Sequence, residues 1–322
     1  MRRVPLTVLI GAVIALFGVL RFTCSRQENP VTGKAQHVML SPEQESALGL
    51  ASARQVAARF GGEVEDRVLA PYVELVGQKL VRSSLAAKAP YRFDFHVLSD
   101  ARTINAFALP GGQVFITVAL LAQMRSESQL AGVLGHEIGH VIARHGAQHL
   151  AKQQLGGALV TAVQVGSYDP DRPERSRAAA ALAMATNSLV NLKYGREDEL
   201  ESDGLGFEIM TQAGYDPRGI VEVMEILKRA AGGSRQPEFL STHPDPGNRG
   251  ERLAQLLKER YPGGLPPALN RNEEAYRQRV LDVLAGRGAR PVPIGADPMP
   301  RRGDDEQPAR PQSGRALPPD RL

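Results

Sequence analysis

Apolar side chains recur at Leu130, Val133, Leu134, Ile138, Val141 and Ile142, the three-and-four spacing of a buried helix. Ser126 with Gln129 offers a capping box at its start. The run Tyr91-Arg92-Phe93-Asp94-Phe95-His96-Val97 alternates with period two and predicts a strand with its aromatics on one side. His96 falls on the polar side and reads as a solvated strand histidine. Residues 104–109 and 113–118, parted by Pro110-Gly111-Gly112, predict two short strands joined by a tight turn. Helices are also predicted over residues 71–85 and 216–231. The second has Asp216 at its N-cap, Pro217 in its first turn and Gly232 closing it. Residues 155–165 and 178–192 are apolar, rich in small residues and separated by a charged loop; each is short for a membrane span, so core or lid helices are expected. These elements add up to a mostly helical α+β chain with one small sheet, no internal repeat, and a body large enough to bury one core.

The two ends differ from that body. Met1-Arg2-Arg3 leads into an apolar run over residues 4–20, long enough to span about 26 Å as a helix. Residues 1–22 therefore read as a signal anchor or a signal peptide. The long apolar region and the lack of a small-x-small cleavage site favour an uncleaved anchor with the body translocated. Cys24 raises a lipoprotein alternative, but Arg21-Phe22-Thr23 lacks the small uncharged character of a lipobox. A lone cysteine can form no internal disulfide and leaves the redox compartment open. Residues 286–322 are rich in Pro, Arg and Gly without periodicity, the composition of a disordered tail, so the domain proper is expected over residues 27–285.

The net charge is +4, yet residues 1–26 hold four Arg and no acid, and residues 287–322 hold seven Arg against five acids, which leaves residues 27–286 at −2. The body thus has no electrostatic footprint for nucleic acid.

Within the helix over residues 130–142 lies His136-Glu137-Ile138-Gly139-His140, the H-E-x-x-H pattern of zinc proteases. On a helix the two imidazoles lie about 40° apart around the axis and one turn apart along it, so both can reach one ion. Glu137 is too close in sequence for a comfortable third ligand, but it can act as general base on a water at the open coordination position and then protonate the leaving amine. His145 and His149 fall about 180° and 220° around the helix from His136, so neither is expected to share the metal face.

A third ligand must come from elsewhere, and Gly195-Arg196-Glu197-Asp198-Glu199-Leu200-Glu201-Ser202-Asp203 is the best acidic cluster downstream. On a helix Glu199 and Asp203 share one face while Glu197 and Glu201 share another, so one pair can serve a metal together. Glu199 would ligate and Asp203 would orient a histidine through its second ring nitrogen. The plainer alternative is a charged helix start favoured by the macrodipole.

These residues together resemble the gluzincin metallopeptidase family of HtpX, the CAAX prenyl endopeptidases and the periplasmic BepA-like proteases. The E-x-x-x-D helix looks like Glu199 to Asp203, the N-A-F strand like Asn105-Ala106-Phe107, and the H-P loop like His243-Pro244; an Asn29-Pro30-Val31-Thr32-Gly33 entry segment also matches. The resemblance covers roughly residues 29–261 and departs at Ser202, where Ala is usual, and at Gly204, where Arg is frequent. It implies a zincin-like domain with one zinc per chain held by His136, His140 and Glu199. It also implies an edge strand through Asn105, Ala106, Phe107 and Ala108 on which an extended peptide could pair its main chain. His243 would face the active site, either as an oxyanion donor supported by Arg249 or as a fourth zinc ligand that keeps the enzyme latent. The expected function is a membrane-anchored, extracytoplasmic zinc endopeptidase acting on polypeptides in envelope protein quality control. A latent metal-site chaperone or binding module, and a cytoplasm-facing body, are the competing readings.

Overall fold

The N-terminal apolar run folds as helix α1 (Leu6–Cys24) in a computed structural model that describes residues 4–166, 194–232, 237–243 and 248–286. A short antiparallel hairpin follows, β1 (Arg26–Glu28) with β2 (Ala35–His37). Its turn is built by Asn29, whose Oδ1 accepts from the N–H groups of Val31 and Thr32 at 2.8 and 3.0 Å. Helix α2 (Pro42–Arg59) starts on a full capping box at Ser41 and Gln44, and α3 (Leu69–Arg82) buries Leu69, Tyr72, Val73, Val76 and Leu80. The predicted helix over residues 71–85 thus begins two residues earlier and stops three earlier.

Strands β3 (Asp94–Leu98), β4 (Ala106–Leu109) and β5 (Gln113–Thr117) form one sheet in the order β3-β5-β4. β3 runs parallel to β5, and β4 is its antiparallel hairpin partner, with Gly111 and Gly112 at φ 84° and 105° in the connecting turn. β5 is buried throughout, and β4 is left at the edge. His96 is half-buried rather than solvated. Its ring stacks on Phe115, with Nε2 2.9 Å from Gln113 Oε1 and Nδ1 3.2 Å from Glu63 Oε2, because the polar face of β3 is covered by its neighbours.

A one-turn helix α4 (Val118–Leu121) leads to α5 (Glu127–Ile142), every residue of which is buried. Ser126 Oγ accepts from Gln129 N–H at 3.3 Å as expected, but Gln129 Oε1 accepts from the main-chain N–H of Arg125 instead of closing the box. Helix α6 (His145–Gly166) follows after a break at Arg144, whose φ is 59°. The buried Arg144 guanidinium pairs with Glu45 and donates to the Leu40 carbonyl, which holds the break in place. Residues 155–165 lie in the second half of α6 and pack along α1, outside the main core, so the core alternative of the expected core or lid helix does not hold. The expected helix over residues 178–192 and the tail from residue 287 lie outside the described residues.

The rest is helical: α7 (Arg196–Gln212), α8 (Arg218–Ala231), α9 (Glu238–Thr242), α10 (Arg249–Arg260), α11 (Glu273–Tyr276) and α12 (Asp282–Gly286). The N-cap of α8 is Pro217, with Asp216 Oδ1 accepting from Arg218 N–H at 2.9 Å one step outside.

Helices α5 and α7 approach through glycines. A Cβ on Gly206 would lie 2.8 Å from His136 N, and one on Gly135 would lie 3.0 Å from Gly206 O. Gly206→Ala is therefore expected to force the two helices apart at a cost of about 1–3 kcal/mol, read as a lowered melting temperature. An unchanged melting temperature would show that the contact yields without cost.

Candidate metal centre

Four side chains from three elements converge. His136 and His140 come from α5, Glu199 from the first turn of α7, and His243 from the residue after α9; their nitrogen and oxygen atoms all lie within 4.8 Å of one another, and all four residues are buried. His140 Nε2 is 3.1 Å from His136 Nε2 and 3.4 Å from Glu199 Oε1, while His243 Nδ1 is 3.0 Å from Glu199 Oε1. Three imidazoles and a carboxylate packed this closely fit a cation, because lone pairs converging in a dry pocket otherwise leave donors and acceptors unmatched. The donor chemistry is that of zinc, which takes nitrogen and oxygen ligands in tetrahedral sets.

Burial drives the His140 pKa well below its ordinary value and so favours the neutral imidazole that ligates a metal. Burial also raises Glu199, but hydrogen bonds from His136, His140 and His243 outweigh it and hold the group as a carboxylate. Glu137 is different. It is fully buried, neither carboxylate oxygen has a hydrogen-bond partner among the described residues, and burial pushes its pKa up. Nε2 of His243 stands 3.6 Å from its Oε1.

A second ring of residues holds the first. His136 Nδ1 lies 3.0 Å from Asp203 Oδ1, the carboxylate–imidazole contact expected from the spacing of Glu199 and Asp203. Arg249 is buried and grips Asp203 with two bonds of 2.7 Å, while its Nη1 lies 2.7 Å from Glu199 Oε2. Its Nη1 also reaches the main-chain carbonyl of His243, at 3.5 Å. Burial raises Asp203, but bonds from Arg249 and His136 overcome it and keep the group ionised. Ser202, at a departure from the family pattern, donates its hydroxyl to the His136 carbonyl. Gly204 leaves open space where a Cβ would stand.

Two contacts were not legible in the sequence. The break at Arg144 returns His145 to the metal helix, so that its Nδ1 lies 2.9 Å from Nδ1 of His140, with its Nε2 3.6 Å from Glu201. The geometry of one continuous helix, which put His145 on the far side, does not apply. Tyr194 covers the His140 ring at a centroid distance of 4.3 Å, and no local pattern marks it. His149 lies apart from the four, 3.0 Å from Asp198.

Of the expected peptide-binding strand, Asn105 precedes β4 and is buried, Ala106 is buried, Phe107 stacks on Phe115, and Phe107 and Ala108 are partly exposed. α5 packs beside β4, which brings the edge to the metal helix. Asn29 ties the N-terminal hairpin to the same helix, its Nδ2 donating to the carbonyl of Ile142 at 2.8 Å. Residues 244–247, the Pro-Asp-Pro-Gly part of the loop after His243, lie outside the described residues.

Comparison with known proteins gives a consistent family. The model of Peptidase family M48 matches residues 68–257. The chain is 32% identical over 231 residues to the beta-barrel assembly-enhancing protease of Escherichia coli (strain K12), covering 71% of this chain and 47% of that protein. It is 28% identical over 263 residues to the mitochondrial metalloendopeptidase OMA1 of Schizosaccharomyces pombe, covering 78% and 72%. With the OMA1 of Arabidopsis thaliana the identity is 35% over 152 residues, covering 47% and 29%. The chain spans about half the length of the beta-barrel assembly-enhancing proteases it matches.

Proposed function

Since the chain belongs to peptidase family M48, we propose that it is a zinc-dependent metalloendopeptidase, with a catalytic domain over residues 27–285 and His136, His140 and Glu199 as the ligands. The observation that carries the reading is Glu137: a buried carboxylate whose two oxygens accept no hydrogen bond among the described residues, beside a cluster of metal donors, is costly in a merely structural site and useful in a hydrolytic one. Zinc bound there would supply Lewis acidity, activating water near neutral pH and polarising a carbonyl.

The remaining work falls to the chain's own side chains. Glu137 takes a proton from the attacking water and returns it to the leaving amine; burial raises its pKa and so brings it closer to the working pH. Asp203 holds the His136 ring through Nδ1, and Arg249 holds Asp203 and Glu199 in register. Asn105, Ala106, Phe107 and Ala108 present an edge on which an extended polypeptide can pair its main chain, giving affinity with little side-chain preference. Purified protein should cleave an unfolded casein substrate, lose cleavage to a strong chelator, and regain it on zinc addition. Cleavage that persists after complete metal removal would end the proposal.

His243 belongs to the same group of donors, and a set of three imidazoles and a carboxylate is closed, with no coordination position left over. That geometry favours the latent form, in which His243 must leave before substrate enters, over the oxyanion-donor form. His243→Ala should then raise peptide cleavage severalfold with zinc content unchanged; a loss of cleavage would assign the donor role instead.

The biological setting follows from analogy. The relatives include proteins named beta-barrel assembly-enhancing proteases, and the apolar, exposed α1 suits a membrane anchor, so the substrates proposed are misfolded or unassembled envelope proteins met on the extracytoplasmic side.

A further inference from the structure

Helix α6 leaves the metal centre at His145, beside the His140 ring, and continues for 22 residues to Gly166. Its first turns belong to the body: Ala147 and Ala151 are buried, and Lys152, Gln153 and Gln154 then face solvent. From residue 155 to residue 166 no charged side chain occurs, Leu159 is exposed, and the segment lies against α1.

The two helices run antiparallel and close. A Cβ on Gly18 would lie 2.8 Å from the Cβ of Ala158, and one on Gly11 would lie 2.5 Å from Ala162 O and 3.1 Å from the Cα of Gly166. The end of α6 reaches the start of α1, since a Cβ on Gly166 would lie 3.8 Å from the Cα of Val8. On α1 itself only Gly11 and Gly18 are buried, while nine large apolar residues, among them Leu9, Val13 and Phe17, are exposed. Contact through glycine and alanine is how helices associate in lipid, where apolar side chains gain nothing by leaving the tails.

We propose that residues 155–166 of α6 are embedded in the lipid bilayer beside α1, so that two apolar helices, not one, hold the peptidase domain to the membrane. The inference rests on reading α1 as an anchor and goes beyond it. If α1 spans, Gly11 and Val8 lie within the hydrocarbon, and a helix in direct contact with both shares that environment. The charge-free part of α6 rises about 16 Å, roughly half of an apolar layer about 30 Å thick. Lys152 then marks the interface, where a long basic side chain can keep its head in water. In water the same pair would leave nine large apolar side chains of α1, with Leu159 and Val163 of α6, exposed to solvent. His145 precedes residue 155 by ten residues, so the metal centre hangs about 15 Å from the membrane surface. Its substrates would be polypeptide segments emerging close to the lipid.

The test places nitroxide labels singly at Val13, Leu159 and Lys152 in the full chain carrying Cys24→Ser, reconstituted in phosphatidylcholine and phosphatidylglycerol vesicles. All of these positions are exposed, so folding is not at stake. Collision with oxygen, which enters lipid, should exceed collision with a water-soluble nickel chelate severalfold at Val13 and Leu159, with the reverse at Lys152. Nickel-dominated relaxation at Leu159 with oxygen-dominated relaxation at Val13 would overturn the second inserted helix and leave the anchor standing. Nickel dominance at Val13 would remove the anchor and the inference together, and oxygen dominance at Lys152 would overturn the boundary at residue 155.

Discussion

Glu137→Gln is expected to keep its zinc and lose peptide cleavage by about 10²–10⁴-fold, the range over which a positioned general acid–base acts. The amide has the shape of the carboxylate, and because neither oxygen of Glu137 takes a hydrogen bond among the described residues, the exchange breaks no contact that holds α5 in place. What it removes is the ability to accept a proton beside the cluster of donors. Metal content by mass spectrometry of the native protein should match the wild type, and the rate with a fluorogenic unfolded substrate should fall. The same variant separates an enzyme from a binding module: a biological activity that survives in Glu137→Gln must depend on holding polypeptide rather than on cutting it. A variant that cleaves at the wild-type rate would move the general base elsewhere, and His243, 3.6 Å away, would be the first place to look.

The parts of this site that were legible in the sequence are those governed by helical period. His136 and His140 share a face because they are four apart, and so do Glu199 and Asp203; α5 and α7 present those faces to each other because glycines at 135 and 206 let the backbones meet. The β4–β5 hairpin was legible for the same local reason, with two glycines allowing the turn. What could not be read depends on distant residues. The break at Arg144 is held by a buried carboxylate, Glu45, 99 positions upstream, which no local pattern announces. That break gives His145 its place beside His140, so an angle computed along one unbroken helix missed it. The apolar second half of α6 has the composition of a core helix, and nothing in it foretells that it packs on α1 outside the main core.

Glu199→Ala is expected to abolish both stable zinc binding and cleavage, and it differs from Glu137→Gln in which property goes first. The carboxylate is the member that carries negative charge to a divalent ion, and without it only neutral imidazoles remain, His136, His140 and, in the latent form, His243. The substitution also leaves Arg249 Nη1 without the Glu199 oxygen that lies 2.7 Å away, although Asp203 still binds the rest of the guanidinium. A half-paired buried cation destabilises the fold, so a loss of metal could be blamed on unfolding; Glu199→Gln answers this by keeping the volume and a carbonyl oxygen for Arg249 while removing the charge. A ligand that binds only the folded state raises the melting temperature. Zinc should therefore raise that of the wild type and have no effect on either variant, with bound metal falling from about one per chain toward none after dialysis. Should both variants remain folded and hold zinc as tightly as the wild type, the third ligand is not Glu199, and the next donor to test is His243, which already sits among the same atoms.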